Sequence, residues 1–313
     1  MAVEAPPVRP SSRSGPGRVD RQRVPRNAPL TPYLFLLPFL VLFVGFVLVP
    51  AVFGLWVSLH DYNYLLPGKP WVGLDNYVDL FTPGSRDSSD FWHGMLATGI
   101  FTVFSVPLLI VCPLGVALLL NRAFPGRSFF RAVFFAPYVL GIAVVGVLFR
   151  FLLDPNIGLV NYYLGTSTPW TTDVPWAWVS LVGMTVWWTL GFNAVIYLAG
   201  LQDISPELYE AARVDGASKW DEFRNVTLPG LRPVLAFVLT VTVLASANMF
   251  GQSFLVTKGA PGTETRTAIM LIAQTGLGSN RQGIAAAMSY VLALALMAIS
   301  VLNIRLLQRR EES

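Results

Sequence analysis

Charge is scarce in this chain: 13% of its 313 residues are Asp, Glu, Lys or Arg, about half the share typical of a soluble domain. Cysteine is scarcer still. The single thiol, Cys112, excludes an internal disulfide and a thiolate metal cluster. The two histidines, His60 and His93, have no partner at a metal-ligand spacing. Each lies near the end of an apolar stretch, where a solvated interfacial position is expected. A phosphate-cradling Gly-x4-Gly-Lys-Ser/Thr loop is absent, which excludes nucleotide binding by that route. Asp154, His60 and His93 are too scattered in sequence to form a catalytic set, which argues against a membrane enzyme.

What the chain has instead is apolar length. Hydrophobic residues make up 54% of it and the mean hydropathy is +0.56, so the bilayer is the expected solvent. Six stretches meet or approach the roughly 20 residues needed to cross the hydrocarbon core: 33–59, 94–120, 132–149, 176–201, 233–256 and 282–302. None contains a charged residue. The fold class is therefore all-α, a polytopic membrane protein with six transmembrane helices. Ion-coupled carriers keep ionisable groups within the membrane. A solute carrier with neither such a relay nor a nucleotide site needs an external engine, or it is a passive pore.

Lys and Arg concentrate in cytoplasmic loops. Placing the N-terminus inside puts 16 of the 22 basic residues on the cytoplasmic side and 6 outside, which sets both termini in the cytoplasm. The net charge of +4 then reads as a topology signal, with no nucleic-acid partner implied. Residues 1–30, rich in Pro, Arg, Ser and Gly, read as a disordered tail. The apolar run that follows is too long for a signal-peptide core and lacks a small-x-small cleavage site, so 31–60 reads as a retained first helix. An outer loop over 61–93, a five-helix core over 94–307 and a short tail over 308–313 complete the organisation. Pro107 and Pro113 should kink the second helix, which then faces protein or a water-filled cavity. Trp170, Trp176 and Trp178 fit an interfacial belt.

The cytoplasmic segment 202–232 reads as a helical hairpin. Ser205 can cap, Pro206 suits the first helical position, and Glu207 and Glu210 favour the positive end of the helix dipole. Leu208, Ala211, Ala212 and Asp215 share one stripe, and Gly216 marks the stop. A second short helix begins after Ser218, with Trp220 and Phe223 on one face, and Leu228 and Pro229 end it.

The run Glu210-Ala211-Ala212, three residues, Gly216, nine residues, Val226, one residue, Leu228-Pro229 resembles the EAA loop of ABC importer permeases at every position of its pattern. Looser resemblances point to the carbohydrate-uptake, maltose-type branch of that family. They are Val72-Gly73-Leu74-Asp75-Asn76-Tyr77 with Phe81, Phe129-Phe130-Arg131 with Phe135 and Pro137, and Thr257-Lys258-Gly259-Ala260-Pro261, where Ala260 replaces a usual Gly. The resemblance implies a type I ABC importer permease fold in a bacterial cytoplasmic membrane. It implies a second, similar permease, two cytoplasmic ATPase subunits and an extracytoplasmic solute-binding protein as partners. ATP and Mg would bind the ATPases, with no cofactor and no catalytic residue in this chain. Glu210, Ala211, Ala212, Asp215, Gly216, Leu228 and Pro229 would couple to the ATPase, with Glu210 meeting basic groups and Gly216 allowing a turn that a Cβ would obstruct.

A neutral sugar needs uncharged hydrogen-bonding groups beside aromatic faces. Trp188, Thr189, Phe192 and Asn193 in the fourth stretch offer these, as do Asn248 and Gln252 in the fifth, the last two spaced to share a helical face. In the maltose-type relatives the corresponding helices line the transport cavity. Two alternatives stay open: the same architecture importing glycerol phosphate, peptide or polyamine, and a membrane pore or scaffold not coupled to ATP.

Overall fold

The structure, a computed structural model, describes residues 31–308. The tail expected over 1–30, and that over 308–313 beyond Gln308, lie outside the described residues. Helices provide all the regular structure among the described residues, apart from an isolated bridge between His60 and Trp71.

The chain divides into two units between Val52 and Phe53. The first consists, from Thr31 on, of the apolar helical run that belongs to α1 (Tyr33–Ser58, 26 residues). The second begins with the last turns of that helix and contains everything else. Three further helices are long and apolar enough to cross a membrane: α3 (Arg86–Asn121), α7 (Trp176–Asp203) and α12 (Gln282–Gln308). The short α2 (Asp75–Phe81) precedes α3, which starts eight residues before the apolar stretch because Ser85 caps it, accepting a hydrogen bond from the Ser88 amide at 3.0 Å.

The third and fifth expected spans are not single helices. The third is split into α4 (Arg127–Val139) and α5 (Ile142–Leu152), bent by 95°. Pro137 sits in the last turn of α4, and Leu140 and Gly141 leave helical geometry. Hydropathy alone reads the run as continuous because every residue around the break is apolar. The fifth expected span contains α10 (Arg232–Ala247), whose 16 residues reach about 24 Å at 1.5 Å per residue. The helix stops at Asn248, and a π-helical turn, Ser253–Thr257, follows the interruption. The expectation that Asn248 and Gln252 share one helical face fails for this reason. Counting each bent pair as one span gives up to six crossings.

Between α5 and α7 lies α6 (Leu159–Leu164). The hairpin comprises α8 (Pro206–Val214) and α9 (Lys219–Gly230), the latter meeting α10 at 66°. Leu228 and Pro229 lie in the last turn of the second hairpin helix, which ends at Gly230, and the break falls at Leu231. An additional buried helix, α11 (Ala268–Gly278), is too short to cross a membrane and packs Ala268, Met270 and Leu271 inward.

Three apolar clusters hold the second unit together. Phe101, Val145, Leu181 and Met184 form one, Ala117, Tyr197 and Leu231 another, and Leu80, Phe91, Leu271 and Met288 a third. The opposite faces of the long helices expose large apolar side chains, among them Val103, Phe104 and Val111 on α3. Exposed apolar surface on this scale is what a lipid-facing helix presents. His60 corrects the interfacial expectation: it is 6% exposed, its Nδ1 lies 2.7 Å from the Trp56 carbonyl, and its ring sits 4.0 Å from the Trp56 ring.

Candidate functional site: a cavity along α7 and the helical hairpin

A cavity of about 330 Å³ lies between α3, α4, α7 and the interrupted end of α10. Trp188, Thr189, Phe192, Asn193, Asn248 and Gln252, the six residues expected from sequence, all line it. No Asp, Glu, Lys or Arg does. Sequence reasoning missed Tyr138, which stacks on Phe192 at 4.5 Å and lies 5.9 Å from the Trp188 ring. It also missed Thr185, which lines the same space.

The polar groups of this wall answer to the backbone first. The Trp188 indole donates to the Leu140 carbonyl, beside the α4–α5 break, at 3.0 Å. The Asn193 amide donates to the Leu109 carbonyl at 3.1 Å. Thr185 and Thr189 donate to the carbonyls of Leu181 and Thr185 at 2.7 and 2.8 Å. Asn248 donates to Leu244 at 2.7 Å. Gln252 differs: among the described residues its side chain, half-buried, has no hydrogen-bond partner.

Close approach of α7 to α4 depends on Gly191. A Cβ there would press into the Phe134 carbonyl oxygen and lie 2.6 Å from the Phe135 Cα.

The hairpin forms as its sequence dictates. Ser205 accepts from the Glu207 amide at 3.3 Å and Pro206 occupies the first turn. At the other end Gly216, with φ +81°, donates to Arg213, while Ala217 donates to Ala212 at 2.9 Å, the paired bonds of a Schellman stop. Nothing from elsewhere in the fold lies within 4 Å of where a Gly216 Cβ would be, so the turn excludes a Cβ through its positive φ, against the local backbone, as expected. A capping box joins Ser218 to Asp221.

Glu222, which sequence reasoning missed, locks the two arms. It accepts from Arg213 at 3.1 Å and from Lys219 at 2.9 Å while almost wholly buried. The hydrogen bond from Lys219 holds its carboxyl below the usual range, and Arg213 adds to this against the opposing effect of burial. Tyr209 and Thr227 make a second tie at 3.0 Å. Of the expected coupling residues, Glu210, Ala211, Asp215, Gly216 and Leu228 are exposed, and Ala212 and Pro229 are half-buried. Glu210 has no ion-pair partner among the described residues.

The chain is similar to known proteins. A family model, binding-protein-dependent transport system inner membrane component, matches residues 100–311. The trehalose/maltose transport system permease protein MalF of Thermococcus litoralis is 31% identical over 277 residues, covering 87% of this chain and 92% of that protein. The arabinooligosaccharides transport system permease protein AraP of Bacillus subtilis is 32% identical over 283 residues, 88% of each. Among solved structures, a bacterial ABC transporter involved in the import of the acidic polysaccharide alginate superposes with a TM-score of 0.76 at 25% identity, over 89% of this chain and 95% of that one. With its multi-pass helical architecture and its spaced α8–α9 hairpin, the chain belongs to the binding-protein-dependent transport system inner membrane component family, the permease subunits of ABC transporters.

Proposed function

We propose that this permease forms half of the pathway by which a neutral sugar or short oligosaccharide crosses a bacterial cytoplasmic membrane, both termini lying inside. The observation that carries this reading is the uncharged cavity, where Tyr138, Trp188 and Phe192 supply ring faces and Gln252 an amide free of internal partners. Sugars bind through C–H faces on aromatic rings and hydroxyls on uncharged polar groups. Relatives named for trehalose/maltose and arabinooligosaccharide transport agree with it.

Within this reading a solute-binding protein delivers the sugar, a second permease completes the pathway, and two ATPase subunits bind ATP and Mg. The hairpin docks on an ATPase through its exposed surface. Glu210 faces a basic group there, Ala211 and Ala212 allow close helix approach, and Asp215, Gly216, Leu228 and Pro229 shape the contact. The Glu222 clamp keeps α8 and α9 moving as one body, so displacement of the ATPase reaches α10 and the cavity.

Vesicles carrying the complete assembly and its binding protein test this. ATP-dependent accumulation of a labelled maltooligosaccharide is expected, and Gln252→Leu should weaken it about tenfold, equivalent to ~1.4 kcal/mol. Undiminished uptake by that variant removes Gln252 from the pathway. A second reading, an acidic saccharide, draws on a separate cavity of about 800 Å³ whose lining includes Arg150 and Lys258. Uptake of an acidic oligosaccharide and of no neutral one would select it.

A further inference from the structure

The segment joining α5 to α7 is unusual for a loop. Residues 155–172 contain no Asp, Glu, Lys or Arg, whereas the segment between α1 and α3 carries charge at Asp61, Lys69, Asp75 and Asp79. The uncharged segment nonetheless presents five large apolar or aromatic side chains outward. Ile157 is 74% exposed, Leu159 52%, Tyr162 79%, Tyr163 81% and Leu164 59%. Leu159, Tyr162 and Tyr163 stand three and four residues apart on one face of α6.

The opposite face is fixed. Asn161, 5% exposed, donates to the carbonyls of Pro155 and Thr168 at 3.1 and 2.9 Å and accepts from Thr166 and from the Trp170 indole at 3.1 and 2.7 Å. Trp170 is therefore a strut of this loop. The apolar display is built into the fold and does not result from slack chain.

We propose that α6 is a membrane-surface anchor, seating Leu159, Tyr162 and Tyr163 at the boundary between lipid headgroups and acyl chains. A lipid interface accepts an apolar face whose tyrosine hydroxyls reach the headgroups, and disfavours neither the missing charge nor the aromatic excess. Continuity supports lipid as the occupant, because the segment hangs between α5 and α7, whose outward faces are themselves apolar. The inference rests on the membrane location and is independent of the solute.

The lone thiol makes a direct test possible. In a Cys112→Ser background, nitroxide labels at Tyr163→Cys and, separately, Leu159→Cys are read in the assembly reconstituted in phosphatidylcholine vesicles. Val103→Cys serves as the lipid reference and Arg86→Cys as the water reference. The expected result is oxygen collision exceeding that of a water-soluble nickel chelate several-fold, between the two references. Nickel accessibility equal to that of the Arg86 label overturns the anchor in favour of a water-exposed face. Protection from both reagents overturns it in favour of a protein partner. Transport by the wild-type chain, measured alongside, would be unaffected by either failure.

Discussion

Asn193 on α7 donates its side-chain amide to the carbonyl oxygen of Leu109 on α3, 3.1 Å away, and Leu109 stands four residues before Pro113. In an unbroken helix that carbonyl would receive the amide of residue 113, which proline lacks. A polar residue inside the bundle thus replaces the missing donor.

Asn193→Leu should therefore cost about 1–2 kcal/mol, the penalty of a carbonyl left unpaired in a buried site. Pro113→Ala restores a backbone donor to Leu109, so the double variant should recover most of the loss. Thermal unfolding in detergent, followed by size-exclusion fluorescence, reads all three. An additive double variant would contradict the pairing.

Gly191 and Gly183 lie on the same helix in opposite circumstances. A Cβ at Gly191 collides with the α4 backbone, while nothing lies within 4 Å of one at Gly183. Gly191→Ala should cost at least the upper end of the ~1–3 kcal/mol typical of overpacking, with loss of monodisperse protein. Gly183→Ala should be neutral or slightly stabilising. Equal behaviour of the two would refute the close α4–α7 contact.

The hairpin separates coupling from folding. Glu210→Lys removes no internal ion pair, so insertion and thermal stability should stay at wild-type values while solute-driven ATP hydrolysis collapses. Gly216→Ala forces a side chain to adopt φ near +81°, at a cost of about 1 kcal/mol, and Gly216→Pro, whose φ is fixed near −65°, should open the turn and uncouple transport. Full coupling in Glu210→Lys would exclude that carboxylate from the interface.

Acid should loosen the hairpin late. Because the Glu222 carboxyl titrates below its ordinary range when folded, its pairing with Lys219 and Arg213 stabilises fully above the unfolded value of about 4.3 and is lost as pH falls through the lower folded value. Amide exchange over 205–230, corrected for intrinsic rates, should stay constant from pH 7 to 5 and rise only below about pH 4. Glu222→Gln should show faster exchange throughout and a smaller acid transition, the remainder belonging to Asp221, whose carboxyl the Ser218 hydroxyl and amide also hold low. A rise beginning near pH 6 would assign the change to another group.

Much of this organisation was legible in sequence because it rests on local chemistry. Ser205, Pro206 and Gly216 delimit α8 by rules that act within four residues, and the apolar runs of α1, α3, α7 and α12 need only counting. The two broken spans were not legible, since Leu140 and Asn248 interrupt helices without interrupting hydropathy. Their breaks are held open by distant partners, such as the Trp188 indole, which no spacing rule reaches. The six expected residues were chosen as uncharged hydrogen-bonding groups beside aromatic rings, and one cavity gathers them. The shared helical face assigned to Asn248 and Gln252 was wrong, and what unites them is the break itself. Glu222 escaped notice because its importance comes from burial against Arg213 and Lys219, and its sequence position is ordinary.

The bonds that α7 makes to backbone carbonyls leave the cavity with a polarity of its own. A carbonyl can only accept, so the hydroxyl protons of Thr185 and Thr189, the indole proton of Trp188 and one proton each of Asn193 and Asn248 are already turned away from the cavity. What these five groups still offer is weighted toward lone pairs and ring faces, while donors remain on the Gln252 amide, the Tyr138 hydroxyl and the second N–H of each asparagine. A molecule whose O–H groups both donate and accept can use both kinds, whereas one that brings only acceptor oxygens has fewer groups to pair with. Backbone carbonyls have thus shifted the wall's balance toward acceptance by taking five of its protons.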